Sequence, residues 1–278
     1  MSYVINKLVK ILFYSIISVF AFMQLFPLIW MVDFSLLKDS DLFVSGILKW
    51  PAQPQWQNYI SAWIQGHVAQ YFLNSVIVNF TSIVVIGILS IMMGYAFTRM
   101  QWKLRYFTLT VILLGMMIPI HATLLPNFLI FKRIGLLNSY LGLILPYAAV
   151  SLPMGVFLMT GFMKSIPVSL EEAATIDGCG TYGIIFKIIV PLVKPAIVTV
   201  VIMSFFNSWN DFIMAFTYVS KNTYKTLPFS VYEFAGQYSS RYAVQFAVMT
   251  ITALPALILY AFMNEQITKG VTVGALKG

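Results

Sequence analysis

The chain has 278 residues, of which 60% are apolar and only 9% are Asp, Glu, Lys or Arg; ordinary globular domains carry roughly 45–50% and about 25%. That balance excludes a soluble globular fold of this length, whose surface needs far more charge. The net charge of +8 is scattered, with no run of five or six cations, which argues against nucleic acid as a partner and fits the Lys/Arg bias of cytoplasmic loops.

The first element follows Lys7 and Lys10: a charge-free run from Ile11 to Val32, 22 residues or about 33 Å as helix, is long enough to span a bilayer. It exceeds the apolar core of a cleaved signal peptide and is expected to remain as a first span starting in the cytoplasm. No Asp, Glu, Lys or Arg occurs between Lys49 and Arg99. The polar Trp50–Pro54 stretch confines the second span to 71–98. Further spans are expected at 106–126, 140–163, 195–217 and 242–264. The expected fold is therefore all-α: a polytopic membrane helical bundle of six transmembrane helices in a single domain, 1–278, with both termini cytoplasmic. That topology places ten cations inside and seven outside, the correct direction for the positive-inside rule. The sharpest local signal is Arg99, Lys103 and Arg105. Prolines interrupt several runs (Pro27, Pro119, Pro146, Pro153 and Pro255), either as hinges or as ordinary residents of membrane helices.

Catalytic and metal chemistry find little support. Cys179 is the single cysteine and His67 and His121 stand alone, so neither a disulfide nor a Cys/His metal cluster is expected. The chain has no GxxxxGK[ST] loop to cradle nucleotide phosphates, and no GxSxG or HExxH motif.

The informative segment lies between the fourth and fifth spans, 164–194: KSIPVSLEEAATIDGCGTYGIIFKIIVPLVK. Ser169 and Glu172 have the spacing of a capping box. Glu171 and Glu172 fall in the first turn, where the helix dipole favours anions. Ala173 and Ala174 extend the helix, and Gly178 suits a left-handed end. A short apolar helix follows, closed by Pro191. This predicts a helix–Gly–helix hairpin, and a loop so ordered implies that something docks on it. Adjacent glutamates argue against an anionic lipid surface.

Glu172-Ala173-Ala174, then Gly178, Ile188, Val190 and Pro191 at their intervals resemble the EAA motif of ABC importer permeases, with Val190 where Leu is usual. The resemblance implies a coupling helix seated in a cleft of a separate cytoplasmic ATPase, with Glu172 in a charged contact there and Gly178 permitting the turn. It marks Glu171, Glu172, Ala173, Ala174, Asp177, Gly178, Ile188 and Pro191 as the coupling set. The C-terminal GVTVGALKG resembles the tail of carbohydrate importer permeases of the maltose-importer type. That implies that Gly274, Lys277 and Gly278 reach into the ATPase dimer. Residues 209–212 and 227–238 also resemble that subfamily.

Polar groups inside spans are functional candidates by default. Asp211 is the only acid expected within a span, and Asn207 lies four residues before it, on the same face. Asn207, Asn210 and Asp211 are substrate-path candidates, able to bond sugar hydroxyls or, equally, neighbouring helices; Asn74 and Asn79 carry the same ambiguity. His121 is expected to serve packing or a loop. The sequence thus points to a non-catalytic permease subunit of a sugar importer in a bacterial or archaeal cytoplasmic membrane. Its implied partners are a homologous second permease, an ATPase dimer that binds ATP and Mg, an extracytoplasmic solute-binding protein, the sugar and the lipid bilayer. No cofactor is expected on this chain. The alternatives are a polyol, sugar phosphate or other small solute and, more distantly, a secondary transporter, which would call for midplane carboxylates and internal repeats.

Overall fold

Among the described residues of the computed structural model every regular element is a helix, as a chain in lipid requires when its backbone must satisfy its own hydrogen bonds. Those residues are 2–42, 50–235 and 241–275, with side chains described from Lys7 to Met263 within these ranges. In chain order the helices are α1 (Ser2–Ser35), α2 (Gln57–Gln65), α3 (Val68–Arg99), α4 (Arg105–Leu114), α5 (Leu124–Ile134), α6 (Leu141–Lys164) and α7 (Ser169–Ile176). Then come α8 (Thr181–Ile184), a π turn (Ile185–Ile189), α9 (Val190–Leu192), α10 (Lys194–Trp209), α11 (Ile213–Tyr218), α12 (Phe229–Tyr232) and α13 (Tyr242–Ala275).

Among the described residues, four stretches are long and apolar enough to cross a membrane: Lys7–Ser35, Val68–Arg99, Leu141–Lys164 and Tyr242–Met263. Two bent pairs raise the number to six if each is one span. The residues expected as the third span fall on the first pair, Arg105–Met117 and Ile120–Ile134, whose arms meet at 97°. Pro119 sits at this corner in an extended conformation, and without an N–H it cannot continue the helical ladder. In the second pair, Thr181–Leu192 and Lys194–Trp209 meet at 76°. The stretch 195–217 is also interrupted, because α10 ends at Trp209 and α11 begins only at Ile213. Pro27, Pro146, Pro153 and Pro255 all lie inside unbroken helices, so of these five prolines only Pro119 marks a corner.

The chain forms two compact units, Met1–Ala69 with Pro228–Pro255, and Gln70–Leu227 with Ala256–Gly278. In the first, α1 exposes nearly every apolar side chain from Leu8 to Leu25, a surface compatible with lipid rather than water. Its far end is packed: Trp30 and Phe34 meet Phe246, beside Leu37, Leu42 and Ala243. Asn58 donates to the carbonyls of Ser35 and Leu37, at 2.9 Å each. Asp39 accepts from the backbone N–H of Ala243 at 2.8 Å, satisfying one of the free donors that begin α13.

The core of the second unit joins Ile86 and Tyr95 of α3, Met159 and Met163 of α6, and Ala196 and Val200 of α10. Ala174, Ile184, Ile185 and Ile189 belong to the same cluster. The segment between α6 and α10 is therefore part of the core of this unit. Each isoleucine so buried contributes about 1.5–3 kcal/mol, which ties the hairpin to the helices that flank it.

Candidate functional site

Helix α7 starts differently from the capping box its sequence spells. Ser169 is the first helical residue, Val168 occupies the N-cap position with helical dihedrals (φ −64°, ψ −27°), and no side chain caps the end. The Val168 carbonyl accepts from the N–H groups of Glu171 (2.9 Å) and Glu172 (3.1 Å). The turn thus begins before Ser169, and the Pro167 carbonyl also accepts from the Leu170 N–H at 3.3 Å. The other end matches expectation. Gly178 has φ +83°, its N–H reaches the Thr175 carbonyl at 3.0 Å, and the Cys179 N–H reaches the Ala174 carbonyl at 2.9 Å. This pair of bonds is the Schellman motif with glycine in the left-handed position.

The two adjacent glutamates point opposite ways. Glu172 is exposed, whereas Glu171 is 6% exposed and accepts from Nε of Arg99 at 2.5 Å. Nη2 of Arg99 donates to the carbonyls of Met163 (2.9 Å) and Ile166 (2.8 Å). One guanidinium thus joins the last residue of α3, the end of α6 and the first turn of α7. Breaking a buried pair by removing one partner costs about 3–5 kcal/mol, although the intact pair adds little net stability. Sequence reasoning placed Arg99 only among the inside cations. Its distance of 72 residues from Glu171 left no local signal, apart from its place at a helix C-terminus where a cation is favoured.

Beyond the turn, Ile184, Ile185 and Ile189 are buried, and Ile188 packs partly against the same core. Pro191, expected to close this arm, is instead carried within it: the helix widens into a π turn at Ile185–Ile189, continues to Leu192 and turns at Val193. A proline has no N–H to return to the preceding turn, and a π turn is a common accommodation of such a break. The outward face presents Glu172, Ala173 and Asp177 with Ile176, Tyr182 and Phe186, which are 62–87% exposed. Acidic and large apolar side chains thus stand exposed together on a hairpin anchored in the core. At the C-terminus the backbone of Gly274 lies within α13, while Lys277 and Gly278 lie outside the described residues.

The three substrate-path candidates separate. Asp211 is a structural cap: Oδ2 accepts from the Tyr147 hydroxyl (2.8 Å) and from the backbone N–H groups of Met214 (3.1 Å) and Ala215 (3.3 Å). It thereby satisfies donors at the start of α11, where the helix resumes after the break that follows Trp209. Asp211→Ala is expected to destabilise the chain by about 1–3 kcal/mol, because it strands the Tyr147 hydroxyl and the first N–H groups of α11. A lowered thermal unfolding midpoint in detergent checks this, with a smaller shift expected for Tyr147→Phe. Asn210 is exposed at the end of α10. Asn207 is exposed and lines a cleft between α6 and α10 with Ser151, Met154, Met203 and Ser204. The cleft holds about 90 Å³, below the roughly 300–1,000 Å³ of pockets that enclose a drug-sized ligand.

Asn74 and Asn79 are clamps. Asn74 donates to the carbonyls of Thr223 and Lys225 and accepts from the Tyr140 hydroxyl at 2.8–2.9 Å. Asn79 donates to the Phe205 carbonyl (3.2 Å) and the Ser208 hydroxyl (2.8 Å). Both are polar links between helices or to a following loop. His121 sits exposed in the short 3₁₀ turn after the Pro119 corner.

Long apolar helices, two angled pairs and a core-anchored hairpin with an exposed acidic and apolar face define a polytopic helical membrane protein. Residues 83–273 match the family described as binding-protein-dependent transport system inner membrane component, and the chain belongs to that family. It is 38% identical over 252 residues, 91% of each chain, to a putative ABC transporter permease from a Caldicellulosiruptor species. It is 34% identical over 254 residues, 91% of this chain and 89% of the relative, to the sulfoquinovosyl glycerol transport system permease of Agrobacterium fabrum. In fold it is similar to a chain in the crystal structure of a bacterial ABC transporter involved in the import of the acidic polysaccharide alginate. That match has TM-score 0.81 and 21% identity, and covers 94% of this chain and 96% of the other.

Proposed function

We propose that this chain is the permease half of an ATP-driven importer that carries a sugar or oligosaccharide across the cytoplasmic membrane by alternating access. The observation that carries the reading is the hairpin: a helix ended by Gly178, locked into the core through Ala174 and Ile189, with Glu172 and Ile176 left outward. In a binding-protein-dependent permease, such a surface fits a cytoplasmic ATPase. ATP and Mg are then bound by the ATPase pair, and this chain needs no cofactor of its own. A second, homologous permease completes the path, and an extracytoplasmic binding protein delivers the solute. Both termini lie in the cytoplasm, and six spans, two of them bent, cross the membrane. The sugar assignment is supported by the C-terminal resemblance and by the glycoside transported by the Agrobacterium relative. On this reading Asn207 lines a path that is narrow in this conformation and widens when the spans rock.

Affinity capture of the tagged chain in mild detergent tests the proposal. A P-loop ATPase and a second permease are expected in the eluate, and the cognate binding protein is expected to bind a sugar in a ligand screen. Glu172→Lys, at an exposed position, is expected to leave folding within about 0.5 kcal/mol yet deplete the ATPase from the eluate. Recovery of the chain alone, active in liposomes without ATP, would instead identify a secondary transporter. A binding protein selective for a polyol or sugar phosphate would keep the importer and change its solute.

A further inference from the structure

We infer that Arg99 is a positioning residue for energy coupling: acting through Glu171, it locks the first helix of the hairpin to the ends of α3 and α6, so that displacement of α7 is carried into those helices. The inference rests on the coupling role proposed above. Helix α7 has eight residues, of which only Glu171 and Ala174 are buried, so Ala174 is its one buried apolar side chain and Leu170 is 44% exposed. Polar bonds add to the hold on its first turn: the Tyr95 side chain of α3 is a hydrogen-bond partner of Glu171, and the Arg99 guanidinium bonds Glu171, Met163 and Ile166 at 2.5–2.9 Å. These acceptors lie on α7, α6 and the link between them, while the donor is the last residue of α3. Met163 and Ile166 offer carbonyls at and just past the end of α6, where a helix leaves acceptors free. Both side chains of the pair are nearly buried, at 11% and 8% exposure. A buried pair is a poor source of stability compared with apolar packing, but a planar fork on three fixed acceptors holds orientation well. An α7 held this way cannot rotate about its own axis without moving Arg99.

The test uses the assembled complex in lipid nanodiscs, with ATP hydrolysis followed as phosphate release with and without the binding protein. The binding protein acts from the opposite side of the membrane, so its stimulation of hydrolysis reads communication through the spans. Arg99→Lys keeps the charge but cannot present a fork to three acceptors. The Lys variant is expected to assemble, with the stimulation ratio falling about tenfold, within the usual range of coupling between sites. Arg99→Met combined with Glu171→Met removes both charges and guards against a misfolded single variant; it is expected to assemble and show the same loss. Wild-type stimulation in either assembled variant would overturn the inference. Failure of both to assemble would overturn it too, by assigning the pair to folding. Glu172→Lys run alongside separates the two levels: if that variant still binds the ATPase and responds normally, the coupling reading itself falls, whatever Arg99 does.

Discussion

Gly178→Leu is expected to leave membrane insertion and assembly of the bundle intact while cutting binding-protein-stimulated hydrolysis by at least about tenfold, a typical magnitude for lost coupling. The reason lies in the backbone. Gly178 has φ +83°, a conformation that costs an ordinary L-residue about 1–2 kcal/mol. A Cβ there would meet no atom within 4 Å, so within this chain the cost is torsional and not steric. The rest of the unit does not depend on this residue, but α7 does: the turn aligns the Thr175 and Ala174 carbonyls with their donors. An eight-residue helix is too short to persist without such end contacts. Strain at Gly178 is therefore relieved by local reorientation of α7, the element that the ATPase is proposed to grip. A graded series checks the cause. Gly178→Asn should retain most coupling, since Asn tolerates the left-handed region. Gly178→Ala and Gly178→Leu should lose it equally if strain alone acts, whereas a much worse Leu variant would show that the partner packs against this position. Normal stimulation in both Ala and Leu variants would refute the coupling assignment.

The fold class was legible because lipid imposes a simple rule: charge-free runs of about twenty residues must become helices. The runs beginning at Ile11, Tyr71, Tyr140 and Tyr242 obey it and coincide with helices α1, α3, α6 and α13. The angled pairs were less legible. Hydropathy averages over a window and has no term for direction, so a 97° corner at Pro119 reads like a continuous apolar run. Five prolines carried the same local signal. Only at Pro119 is the preceding Ile118 also extended (ψ 116°), and only there does the helix end. At the hairpin, the turn at Gly178 was readable because one residue type suits one dihedral region. The partner of Glu171 was not readable, since a contact across 72 residues leaves no periodicity. Asp211 was ambiguous for the same reason. Its distinguishing feature is the Tyr147 hydroxyl, 64 residues away, which joins the N–H groups of α11 on the same carboxylate oxygen.

The reach of Arg99 depends on how closely α3 approaches α6, and that approach is set by small residues. A Cβ built on Gly94 would lie 2.7 Å from Cβ of Met159 and 3.3 Å from its neighbour Sδ of Met163. One on Gly155 would lie 2.2 Å from Oγ and 3.2 Å from Cβ of Ser90. Ser90 and Gly94 are one turn apart on α3, and Gly155 and Met159 are one turn apart on α6, the small-residue spacing that lets membrane helices touch. The two contacts differ in what can give way. The Ser90 hydroxyl can turn aside, and it has no hydrogen-bond partner to lose. The Met159 Cβ is fixed to the α6 backbone. Gly94→Ala is therefore expected to be the more damaging, costing about 1–3 kcal/mol or more because whole helices must separate. Gly155→Ala should cost less and be largely rescued by Ser90→Ala, a coupling that a double-mutant cycle on thermal unfolding in detergent measures. Gly87→Ala and Gly161→Ala, where nothing lies within 4 Å, should be close to neutral. Gly94 lies five residues before Arg99, so a separation forced there also lifts the guanidinium from the Met163 and Ile166 carbonyls. Gly94→Ala is thus expected to lower the stimulation ratio together with stability, whereas Gly155→Ala with Ser90→Ala should preserve both. Equal tolerance of alanine at Gly94 and Gly87 would show that the two helices are not held at this distance.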